Sequence, residues 1–208
     1  MKIAAVLFAA STGIAQAGLL LTVSVGYYDL PPGGSFTNPL PTPWYGSPNT
    51  TFLGDATAAT RSDPDEAGVL IANTGTVSAT LGQGFNINYG TTVQNWDSLI
   101  GAGGLTIAPG QFVVLSGTTS ATDNDMDLSE FAFTQNPVVS LTINGTLYSF
   151  TDSTRVLHGG PVSANETIPW TSIGQISTNT GVPEPGTLSL LGTALAGLGV
   201  LRFRRRSC

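Results

Sequence analysis

The chain has 208 residues, enough for one main domain with short accessory segments. Hydrophobic residues make up 41%, sufficient for a packed core, whereas charged residues at 10% fall far below the usual quarter. Between residues 18 and 181 only Arg61 and Arg155 oppose twelve carboxylates, a net charge of −10 that repels nucleic-acid phosphates and anionic membrane surfaces.

The chain opens with MKIAAVLFAASTGIAQAG. Lys2 supplies a minimal positive n-region, residues 3–10 are apolar, and Ala15-Gln16-Ala17 fits the small-x-small pattern that a signal peptidase reads. Residues 1–17 are therefore expected to be a signal peptide, with Ala15 and Ala17 as its recognised residues and Gly18 as the first mature one. The alternative is a buried N-terminal strand or helix.

Residues 18–177 show short β-branched or aromatic runs separated by turn residues. LLLTVSVGYY (19–28) reads as the first strand. PPGGSFTNPLPTPWYGSPN (31–49) reads as a long loop that Trp44 and Tyr45 pin to the body. GVLIANTG (68–75), FNINYG (85–90), LTIAPG (105–110) and QFVVLSG (111–117) read as strands ending at turns, and NWDSLIGAG (95–103) as one short helix. In VVSLTINGTLYSF (138–150), Asn144-Gly145 predicts a type I′ turn, because both residues tolerate positive φ. RVLHGG (155–160) and ETIPWTSIGQI (166–176) offer one or two more strands. Seven to nine strands at this spacing predict an all-β, antiparallel two-sheet β-sandwich for residues 18–177. LIANTGTVSATL and the later LTIAPGQFVVLSG resemble bacterial immunoglobulin-like or lamin-tail-like modules. The lack of a Cys…Trp…Cys pattern separates the chain from antibody-type domains.

Candidate chemistry is sparse. Asp123, Asp125, Asp127 and Glu130 in TDNDMDLSE could converge on a hard cation, so calcium is the one candidate cofactor, against a solvated acidic turn. The EF-hand pattern fails at Leu128 and Thr134. RSDPDEAG reads as a turn with an Arg61 contact. The single histidine, His158, lies near Asp152 and Ser153 but without a nucleophile-elbow context, and no catalytic residue is assigned. Tyr27, Tyr28, Trp44, Tyr45 and Trp96 either form a sugar-stacking patch or close the core of the sandwich. The sequon matches at Asn49, Asn144 and Asn165 are read as chance, Asn144 being committed to its turn. The one cysteine, Cys208, forms no disulfide framework.

Residues 178–186 form a polar linker that ends in Pro183-Glu184-Pro185. Residues 187–201 are uncharged, short against the roughly 20 residues of a bilayer core but extended by their neighbours. They are expected to form a transmembrane helix, with Arg202, Arg204, Arg205 and Arg206 holding its end in the cytoplasm. VPEPGTLSLLGTALAGLGVLRFRRR closely resembles the PEP-CTERM sorting domain of Gram-negative bacteria: a Pro-Glu-Pro motif, a hydrophobic helix and an arginine-rich tail. That resemblance implies processing by an exosortase, a membrane-embedded cysteine transpeptidase, near Pro183-Glu184-Pro185. The plainer alternative is an ordinary single-span anchor.

Together these readings predict a non-enzymatic exported protein, transiently anchored in the cytoplasmic membrane and then at the cell surface or extracellular. Its expected partners are signal peptidase, exosortase, the membrane and exopolysaccharide, with no nucleic acid. The alternatives are a carbohydrate- or calcium-binding adhesion module and, further off, a secreted hydrolase.

Overall fold

Leucine and valine alternating with small polar residues build the first strand described, and nine more follow among the described residues. In the computed structural model, the residues described are 18–29, 41–56, 65–90, 93–117, 135–158 and 167–179. All but Asn179 belong to one compact unit, Gly18–Thr178.

The strands are β1 (Gly18–Asp29), β2 (Thr50–Leu53), β3 (Asp65–Asn73), β4 (Ala79–Asn88), β5 (Val93–Asn95), β6 (Leu105–Ile107), β7 (Phe112–Ser116), β8 (Val138–Ile143), β9 (Thr146–Thr151) and β10 (Ile168–Asn179). One four-residue helix, α1 (Asp97–Ile100), follows β5. Sheet A runs β10-β1-β3-β7-β2; sheet B runs β5-β4-β8-β9, with β6 also paired to β4. The expected all-β chain with two sheets is therefore present, and the short helix falls where NWDSLIGAG placed it.

Four details depart from the sequence reading. The pairing is not antiparallel throughout: β2 and β7 run parallel, Thr50 opposite Phe112 and Leu53 opposite Leu115. A parallel pair needs a long crossover and leaves no hairpin signature in the sequence. The described residues hold ten strands, because β2 and β5 are too short to show periodicity. Residues 155–158 are not a strand but a 3-10 turn, Val156–His158, entered from Arg155 at φ 57°. Finally, Asp65 and Glu66 belong to β3, opposite Asp29 and Tyr28, rather than to a turn.

Alternation places the core. Leu21, Val23 and Val25 of β1 and Val69 and Ile71 of β3 face inward from sheet A. Leu81, Phe85 and Ile87 of β4 and Val139, Leu141 and Ile143 of β8 face inward from sheet B into the same cluster. Each such side chain removed from water contributes roughly 1.5–3 kcal/mol, so this shared core is the main stabilising term. Trp96 ties the two sheets polar-to-polar as well: it is buried, and its indole N–H donates to the Ser116 carbonyl at 2.8 Å. Asn73, buried at the end of β3, donates to the carbonyls of Val77 and Ile107 and accepts from the Gly75 amide. It thereby satisfies the backbone where the strand stops.

The hairpin follows the local chemistry closely. Asn144 and Gly145 have φ of 50° and 79°, the left-handed pair that a type I′ turn requires. The Asn144 side-chain oxygen also accepts from the Thr80 amide at 2.8 Å, fastening the turn to β4.

Candidate functional site

Several sequence-predicted sites lie outside the described residues: the signal peptidase residues Ala15 and Ala17, the acidic group Asp123, Asp125, Asp127 and Glu130, the motif Pro183-Glu184-Pro185, and Arg202, Arg204, Arg205 and Arg206. Among the described residues, no group of three or more His, Cys, Asp or Glu could hold a metal ion. No helix among them is long and apolar enough to cross a membrane.

The residues around His158 are arranged by a turn. Asp152 is fully buried, and its carboxylate accepts from the Leu157 amide at 2.9 Å and from the Thr154 hydroxyl at 3.0 Å. Its own amide donates to the Pro137 carbonyl. Both carboxylate oxygens are thus engaged in folding the 3-10 turn. Ser153 is exposed, and the His158 ring meets the Tyr89 ring edge-on, with centroids 5.4 Å apart.

The five aromatics weighed as a sugar platform divide sharply. Tyr27, Tyr28, Trp44 and Trp96 are all buried, and only Tyr45 is exposed, at 44%. The core-closing alternative holds for those four, and a stacked sugar could reach none of their faces. Trp44 instead covers the outer face of sheet A. Its ring lies 5.7 Å from Trp170, 5.8 Å from Phe52 and 6.3 Å from Tyr28, over Leu70 and Val114. Two glycines make room beneath. A Cβ on Gly26 would lie 2.6 Å from the Trp170 ring, and one on Gly68 would lie 3.0 Å from the Trp44 ring. The Trp170 indole donates to the Pro43 carbonyl at 3.1 Å, which fastens the loop before β2 onto the sheet. Trp44 pins that loop as expected, whereas Tyr45 only flanks it, packed edge-on against Phe52.

The opposite outer face, that of sheet B, is open. Register places Asn95, Asn86, Ser140 and Ser149 in one row across β5, β4, β8 and β9. The neighbouring rows carry Val93, Asn88, Val138 and Thr151 on one side and Gly82, Thr142 and Leu147 on the other. None of the five strands contains a charged residue. The Ser140 and Ser149 hydroxyls share a hydrogen bond of 3.0 Å. Sequence reasoning did not single out this face. The alternation of Ser and Thr in VVSLTI was the available signal, but only cross-strand register collects these side chains into rows.

Gly84 marks one border of the face. It has φ of 95° within the irregular β4–β8 register, and its amide donates to the Asp97 carboxylate at 2.5 Å. Gly84 thus serves the bulge between Gly82 and Asn86.

Residues 181–206 match the family model of the PEP-CTERM protein-sorting motif. The chain therefore carries the signal of an exosortase substrate, exported and passing through a membrane. Neither the curated proteins nor the solved structures offer a match to the chain.

Proposed function

We propose that this is a non-enzymatic protein of the cell envelope or extracellular matrix, delivered by its PEP-CTERM signal and retained with exopolysaccharide or biofilm material. The observation that carries the reading is the match of residues 181–206 to the sorting motif. On this reading residues 187–208 are a removable membrane handle, oriented by Arg202, Arg204, Arg205 and Arg206. Residues 1–17 are a signal peptide, a reading supported by Lys2, the apolar run over residues 3–10 and the small-x-small site Ala15-Gln16-Ala17. The one core shared by both sheets supports a β-sandwich of immunoglobulin-like or lamin-tail-like kind. The reading assigns no cofactor.

Replacing Pro183, Glu184 and Pro185 by alanine tests delivery. The full-length precursor is expected to accumulate in the membrane fraction, while the unaltered chain loses its tail and co-fractionates with exopolysaccharide. Normal release of the altered chain, or an unaltered chain absent from the polysaccharide fraction, would overturn the proposal. A melting temperature that rises in millimolar calcium would favour the adhesion-module alternative at Asp123, Asp125, Asp127 and Glu130.

A further inference from the structure

We propose that the open outer face of sheet B is a binding surface for an uncharged polysaccharide chain. This rests on the matrix reading above and names the part of the molecule that would make the contact.

The side chains suit such a ligand. Asn95, Asn86, Ser140 and Ser149 form a continuous row of amides and hydroxyls. Asn86 donates to the Gly84 carbonyl, Asn95 accepts from the Asp97 amide and the two serines bond each other, and each group keeps further donor and acceptor capacity that matches sugar hydroxyls. Taking them out of water costs far less than desolvating a charge. Of the exposed large hydrophobic residues among those described, the two most exposed both stand on this face: Leu147 at 64% and Val93 at 59%. They offer apolar contact to the C–H surfaces of a pyranose ring beside the polar row.

The absence of charge selects the polymer class. Residues 18–181 carry a net charge of −10, so an acidic polysaccharide would be repelled on approach. A neutral chain is not repelled. The openness of the face selects length. It is an array repeated every ~4.8 Å across the strands rather than a pocket, so single sugars gain little and a polymer gains by engaging successive residues along a row.

A protein partner fits less well. Stable protein interfaces centre on Tyr, Trp, Phe, Met or Arg anchors, and the outward rows of sheet B contain none. The aromatics of β9, Tyr148 and Phe150, pack against the core instead.

The test uses the processed protein with regenerated cellulose and a soluble neutral β-glucan as probes, and alginate as the acidic comparison. Retention on cellulose and retarded migration in β-glucan gels are expected, with no retention by alginate. Thr142→Glu and Ser149→Glu place a charge on the face and are expected to weaken binding about tenfold or more, whereas Ser172→Glu on the exposed part of β10 leaves it unchanged. Should either β8 or β9 variant fail to fold, Asn95→Glu on the short edge strand β5 makes the same demand.

Absence of binding to both neutral probes, stronger binding to alginate, or unaltered binding by the folded glutamate variants would overturn the site. So would self-association of the wild type in sedimentation that the glutamate variants abolish, since a second copy would then cover the face. The matrix reading fails separately, if the native protein never co-fractionates with exopolysaccharide. Co-fractionation that the glutamate variants leave intact removes this face alone.

Discussion

The outer faces of the two sheets begin from similar material and end differently. Each belongs to a five-stranded sheet whose inner face enters the same core, and each carries a glycine in a strand. On sheet A, Gly26 lies beneath Trp170, and Trp44 is sealed in with Phe52, Tyr28 and Leu70. On sheet B, a Cβ on Gly82 would first meet Thr142, at an ordinary 3.5 Å, in a row of uncharged residues. The difference teaches that the loop before β2 and strand β10 have turned one outer face into a second, smaller core. Among the described residues the other face gains no such cover, and its Leu147 and Val93 stay exposed.

Substitutions can break or sharpen this contrast. The largest effect is expected from Trp44→Ala, which empties the centre of the sheet A cluster. A loss of about 3–5 kcal/mol in urea denaturation would mark the cluster as part of the cooperative fold. The Trp44 indole N–H is buried without a hydrogen-bond partner among the described residues, so the loss comes from packing. A loss under about 1 kcal/mol would reduce the cluster to an ornament of the loop. Gly26→Ala comes next. Its new methyl would press on the Trp170 ring, and a destabilisation of about 1–3 kcal/mol is expected, read as a lowered melting temperature.

Tyr28 tests the same cluster through pH. Burial raises its hydroxyl pKa above the ordinary value. The folded protein therefore keeps a proton that the unfolded chain releases, so stability is full below the ordinary tyrosine pKa of about 10 and falls as pH rises past it. Tyr28→Phe is expected to flatten that alkaline fall in a series of melting curves. An unchanged slope would show that the ring is not held in the sealed cluster. The smallest effect is expected from Gly82→Ala on sheet B, within about 0.5 kcal/mol, because its Cβ meets Thr142 at ordinary contact distance. A loss as large as that of Gly26→Ala would mean that the two faces do not differ.

Much of this was legible where the chemistry is local. The Asn144-Gly145 turn follows from two residues that accept positive φ, and the structure adds only the bond from the Thr80 amide. The inward alternation of Val139, Leu141 and Ile143 reads directly from VVSLTI. Trp44 and Tyr45 are adjacent and chemically alike, yet one is sealed and the other exposed, because only Trp44 meets the ring of Trp170. Asp152 resembles a catalytic candidate in sequence and is a turn-former in space, because Leu157 and Thr154 bring their donors to it.

Local patterns along the chain were enough to read its export signal and its β class. Delivery depends on a contiguous motif at residues 181–206, and β class depends on period-two patterning with Gly, Pro and Asn turns, both readable over a few residues. The tertiary structure alone decided that β2 pairs in parallel with β7 and that sheet A's outer face is covered while sheet B's is open. The parallel pairing joins residues 50–53 to 112–115 and the covering of sheet A joins residues 26, 44, 68 and 170, and no local preference of a chain specifies meetings across such separations.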